Sequence, residues 1–80
     1  MSKYFDEVKE IILENLDVDD ESKITMEATF DGDLGADSIA RFEIVNAMED
    51  RYGLEVDDDT AQSLTTVGAV CKFLEEAVGN

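Results

Sequence analysis

The sequence predicts an all-α fold: a small four-helix bundle with a long first loop and a short third helix. Three observations carry that prediction. Apolar residues recur at steps of three and four in windows near the start, middle and end of the chain. Period-two alternation is nowhere sustained, and no hairpin turn dipeptide separates two apolar runs. Proline is absent, and Gly53 and Gly79 stand where two of the periodic windows stop.

The first helix is expected from about Lys3 to Leu16. Phe5, Val8, Ile12 and Leu16 form its stripe with Ile11 beside them, and Ser2 can cap it. Residues 17–36 read as a long, aspartate-rich loop. A loop of that length needs anchors. Val18, Ile24, Met26, Phe30 and Leu34 are the candidates, and a short extra turn fits within it. The second helix is expected from Asp37 or Ser38 to about Tyr52, ended by Gly53. Leu54-Glu55-Val56 is a link. Asp57-Asp58-Asp59 supplies the acidic first turn of a short third helix reaching about Leu64. Thr65 or Thr66 caps a last helix from Val67 to about Val78, with Val67, Val70, Cys71, Leu74 and Val78 on its apolar stripe. With no repeat and no linker, residues 1–80 read as a single domain.

Composition removes several function classes. Lysine and arginine total 6 against 21 acids, a formal charge of −15. A nucleic-acid ligand needs the opposite sign, so basic protein surfaces are the expected partners. No segment is apolar enough to span a bilayer, so membrane insertion is not expected. Residues 1–7 carry charges where a secretory leader needs an apolar run. The expectation is a cytoplasmic or mature organellar protein, acting as a monomer. The one cysteine, Cys71, forms no intramolecular disulfide and lies on an apolar stripe, as a buried, inert thiol would.

Histidine is absent. That leaves a serine nucleophile without its usual base and zinc without its usual ligands, so no catalytic residue and no metal site is expected. A calcium loop begun at Asp31 would need glycine at Ala36 and glutamate at Phe42. One begun at Asp57 meets Gln62 and Gly68 at those places. The abundant carboxylates fit a solvated acidic face better than a glycosidase pair.

Residues 33–39, Asp-Leu-Gly-Ala-Asp-Ser-Ile, place one serine where a glycine-containing loop turns into an amphipathic helix. Ser38 would stand beside unpaired N–H groups and the positive end of the helix dipole, a place suited to a phosphate. An ordinary N-cap is the alternative role for a serine there. On a helical wheel of ~100° per residue, Phe42, Ile44, Val45, Met48 and Tyr52 fill the core arc. Ile39, Glu43, Asn46 and Asp50 lie opposite, with Glu49 beside them. Ile39 is then an exposed apolar residue amid acids, the pattern of a docking contact. Arg41 falls within the core arc, and its head is expected to snorkel to Asp31 or Asp33.

This stretch resembles the phosphopantetheine attachment motif of acyl carrier proteins. The resemblance spans nearly the whole chain, through the acidic loop, Asp37-Ser38-Ile39, the second helix with Glu43, and Leu64-Thr65-Thr66-Val67 leading into the last helix. It implies a covalent 4′-phosphopantetheine arm, derived from coenzyme A and joined to Ser38 by a phosphopantetheinyl transferase. Asp37 would help that transferase hold magnesium and coenzyme A. Ile39, Glu43, Asn46, Glu49 and Asp50 would meet basic docking patches on the transferase and on acyl-transfer and condensing enzymes. The arm would carry acyl groups as thioesters in fatty acid or related polyketide or specialised lipid biosynthesis, and the chain itself would catalyse nothing. Departures from the usual family pattern fall at Ala40, Arg41 and Asn46, and bear on which enzymes dock. A peptidyl or aminoacyl carrier, and an acidic interaction module without covalent modification, are the alternatives.

Overall fold

The computed structural model describes residues 4–78. Four α-helices follow in order: α1 (Phe5–Asn15), α2 (Ser38–Tyr52), α3 (Asp58–Ser63) and α4 (Val67–Val78). A 3₁₀ turn, Glu21–Lys23, interrupts the long first loop as expected, capped by Asp20, whose carboxylate takes the Ser22 N–H and hydroxyl. Those two hydrogen bonds hold the Asp20 carboxyl below its ordinary value. No strand is formed among the described residues; Thr29 and Thr66 make one isolated antiparallel bridge.

α1 starts at Phe5, later than Lys3, with Tyr4 at the cap position and no side-chain cap bond. The expected Ser2 cap lies outside the described residues. Asp6 and Glu7 in the first turn suit the helix dipole instead. Val8, Ile11 and Ile12 of α1 pack with Ile44 and Met48 of α2 and with Val67, Val70, Cys71 and Leu74 of α4 in one apolar cluster. α3 contributes no buried residue.

The long loop is part of that core. Ile24, Ala28, Phe30 and Ala36 are buried, and Val18 and Leu34 pack at its margin. Met26 is a correction: it is 36% exposed and outside the buried cluster, and its backbone carbonyl is what anchors. The Gly68 N–H donates to the Met26 carbonyl at 2.8 Å, Val67 N–H to Ala28 O at 3.0 Å, and Phe30 N–H to Thr65 O at 3.1 Å. These bonds stitch the loop to the start of α4. A Cβ at Gly68 would lie 2.8 Å from the Met26 carbonyl oxygen, so only glycine permits the close approach. Val78, expected on the α4 stripe, is exposed at its end.

α1 and α2 are locked by Tyr52. Its ring meets Tyr4 edge-on, with centroids 5.9 Å apart, and its hydroxyl donates to the Glu7 carboxylate. Partial burial first, and then the Glu7 hydrogen bond, push the Tyr52 phenol well above its ordinary value. The folded state thus holds this proton more tightly than the unfolded chain does. The resulting stability is fully present below the ordinary tyrosine value of about 10 and is lost as pH rises beyond it. Thermal melts should therefore show wild type and Tyr52→Phe converging only as pH rises above about 10. Parallel curves would show that the proton is not linked to folding.

Candidate functional site

The approach to α2 is fixed by a closed set of hydrogen bonds. The Thr29 N–H donates to Asp33 Oδ2 at 2.9 Å, and the Asp33 N–H donates back to Thr29 Oγ1 at 3.0 Å. Ala36 N–H then reaches the carbonyl of buried Phe30 at 2.7 Å. Gly35 turns the chain with φ +68°, the left-handed region glycine enters without strain. The helix follows two residues later.

Asp37, and not Ser38, takes the cap. Its Oδ1 accepts the Ala40 N–H at 2.8 Å, and its carbonyl accepts the Arg41 N–H. Ser38 becomes the first residue of α2 and is exposed. Its hydroxyl makes no hydrogen bond among the described residues, and neither do the N–H groups of Ser38 and Ile39. A hydroxyl that caps nothing, beside two open donors at a helix N-terminus, fits the ester oxygen of a phosphodiester.

Beyond Ser38, the outer stripe of α2 lies as the wheel placed it. Ile39 is 71% exposed, and Glu43, Asn46 and Asp50 are exposed without hydrogen bonds or ion pairs among the described residues. Glu49 differs from its expectation. It is half-buried, and its Oε2 accepts the Val56 N–H at 2.8 Å, bracing the link between α2 and α3. At ~100° per residue it falls nearly in line with Phe42, on the strip that faces α3, not on the outer stripe.

Phe42 is a correction to the core arc. It is 58% exposed. It stands roughly 120° around the helix from Met48, and the short α3 leaves that side of α2 thinly covered. Arg41 is another correction. It makes no ion pair with Asp31 or Asp33, because those acids are committed to their own loop: Asp31 takes the Gly32 N–H, and Asp33 takes Thr29. Arg41 and Phe42 instead line a cleft of about 140 Å³ between α2 and α3, together with Ser38, Val45, Asp58, Ala61 and Gln62. The α3 wall was missed in the sequence, where Asp57-Asp58-Asp59 signalled only a helix start. Asp57 does cap α3, and its bonds from Thr60 hold its carboxyl below the ordinary range.

No group of three or more acids or cysteines that could hold a metal ion occurs among the described residues. No described helix is long and apolar enough to cross a membrane.

Comparison with known proteins bears directly on this geometry. Residues 6–74 match the family described as "Phosphopantetheine attachment site". The acyl carrier protein of Phenylobacterium zucineum (strain HLK1) is 43% identical over 79 residues, covering 99% of both chains. The chain belongs to the acyl carrier protein family. A solved structure of the acyl carrier protein from Enterococcus faecalis superimposes with a TM-score of 0.75 at 31% identity, covering 92% of each chain. The all-α bundle is thus the family's fold. The carrier's prosthetic group is covalently attached 4′-phosphopantetheine. Acyl carrier proteins work with synthase and acyl-transfer enzymes, as carriers and not as catalysts.

Proposed function

We propose that Ser38 is the attachment residue and that residues 1–80 act as one carrier domain. The observation that carries this reading is the division of labour at the start of α2: Asp37 caps the helix, leaving the Ser38 hydroxyl exposed and unbonded. The arm supplies a terminal thiol that holds acyl groups as thioesters. Everything else is done by the chain. The N–H groups of Ser38 and Ile39 face the phosphate position, and the helix dipole favours its charge. The second carboxylate oxygen of Asp37 makes no hydrogen bond, which leaves it able to meet the magnesium of a phosphopantetheinyl transferase.

Ile39, Glu43, Asn46 and Asp50 form the docking stripe, about 16 Å long at the rise of an α-helix. An apolar contact next to the modified serine, followed by acids, suits basic patches on the transferase and on acyl-transfer and condensing enzymes. Charge of this kind speeds encounter while keeping contacts short-lived. Glu49 contributes charge from the edge of that stripe while bracing Val56. The reading extends to a monomeric, cytoplasmic carrier with no catalytic activity of its own, in fatty acid or related polyketide or specialised lipid biosynthesis.

Intact mass after incubation with coenzyme A and a broad-specificity transferase tests the attachment. The expected gain is one phosphopantetheine group, and an unchanged mass would refute it. The docking stripe has its own test. Glu43→Lys or Asp50→Lys should cut the association rate with a basic partner enzyme by about tenfold at low salt, with the loss shrinking as salt rises. Folding stability should stay within about 0.5 kcal/mol, since both side chains are exposed and unbonded. Equal losses of binding and stability would remove the recognition role.

A further inference from the structure

Arg41 stands where helix electrostatics disfavours it. It is the fourth residue of α2, near the positive end of the dipole, in a helix whose first turn contains no acid. The chain carries −15 overall, yet this guanidinium makes no ion pair with any described carboxylate. Violations of a local rule concentrate at functional positions.

Its surroundings indicate what would satisfy it. Ser38 and Arg41 border the same cleft. Side chains three apart on a helix are neighbours, about 5–6 Å between Cβ atoms. Long helical side chains lean over the preceding turn, which here is the turn that holds Ser38. We propose that Arg41 binds the phosphodiester joining 4′-phosphopantetheine to Ser38, and so holds the base of the arm against the α2–α3 cleft. This rests on Ser38 as the attachment residue. The chemistry matches on both sides. A phosphodiester brings one negative charge and two unbridged oxygens, and a guanidinium presents parallel N–H donors at that spacing. Lysine would supply the charge without the fork. The competitor is Asp58, whose residue lines the cleft from α3.

The test runs on the protein loaded from coenzyme A by a transferase. Intact mass comes first: no gain on wild type overturns the Ser38 reading and this inference with it. On the loaded protein, the Arg41 Nε–Hε resonance should move relative to the unloaded form. The ³¹P resonance should shift and sharpen in Arg41→Gln and lie between the two in Arg41→Lys. Loading should also lower the melting temperature of Arg41→Gln by about 2–4 °C more than that of wild type. Full loading with an unmoved Nε–Hε signal and an unchanged ³¹P line in Arg41→Gln overturns the inference and leaves Ser38 standing. An Nε–Hε signal that moves in unloaded Asp58→Asn but not on loading assigns Arg41 to Asp58, and equally overturns it.

Discussion

Phe30→Ala should cost the protein about 3–5 kcal/mol of folding stability, although the residue lies in a loop. Phe30 is 1% exposed and sits in the central cluster with the helices. Truncating a buried phenylalanine costs about 3–5 kcal/mol through lost transfer energy and the cavity left behind. A chain of 80 residues has about 4–12 kcal/mol to lose. The backbone adds to the effect, because the Phe30 N–H and carbonyl bond Thr65 and Ala36 respectively. Loosening this residue thus loosens both the start of α4 and the approach to Ser38. Circular dichroism melts and urea titrations would measure the loss. A change below about 1 kcal/mol, the range of many surface substitutions, would show that the loop is not part of the cooperative core.

Ser38→Ala should abolish loading altogether and leave stability unchanged. Asp37→Ala should do nearly the reverse to stability. The prediction follows from which residue caps α2. Asp37 Oδ1 holds the Ala40 N–H, and replacing such a cap costs about 0.5–2 kcal/mol. The Ser38 hydroxyl bonds nothing, so its removal forfeits no contact. The pair of variants separates attachment from folding: intact mass reads the first and thermal melts the second. A Ser38→Ala protein that still gains the arm would move the attachment elsewhere. A melt lowered as much as that of Asp37→Ala would mean that the serine shares the cap.

What the sequence made legible follows from what periodicity can encode. Helix faces of eleven to fifteen residues write their burial into steps of three and four, so Val8, Ile12, Ile44, Met48, Val70 and Leu74 were all readable as core. How far a neighbouring element extends is not written in the same window. Phe42 and Val78 look apolar enough to be covered, but α3 is only six residues long and α4 ends at Val78. Small residues in a loop carry no pattern, so the burial of Ala28 and Ala36 was invisible. The Thr29–Asp33 pairing is likewise a matter of backbone geometry, which composition does not specify. At the site, the motif singled out Ser38 as the residue to propose, but either Asp37 or Ser38 could have capped the helix. Only the fold assigns that role to Asp37.

Cys71 has a consequence for cargo retention. A tether keeps its terminal sulfur at high effective concentration near its own protein surface. A reactive surface cysteine would invite thiol–thioester exchange, stranding the acyl group on the polypeptide. Cys71 is fully buried, so the chain offers no rival sulfur to capture it. An alkylating reagent applied to the native protein would therefore count prosthetic arms alone.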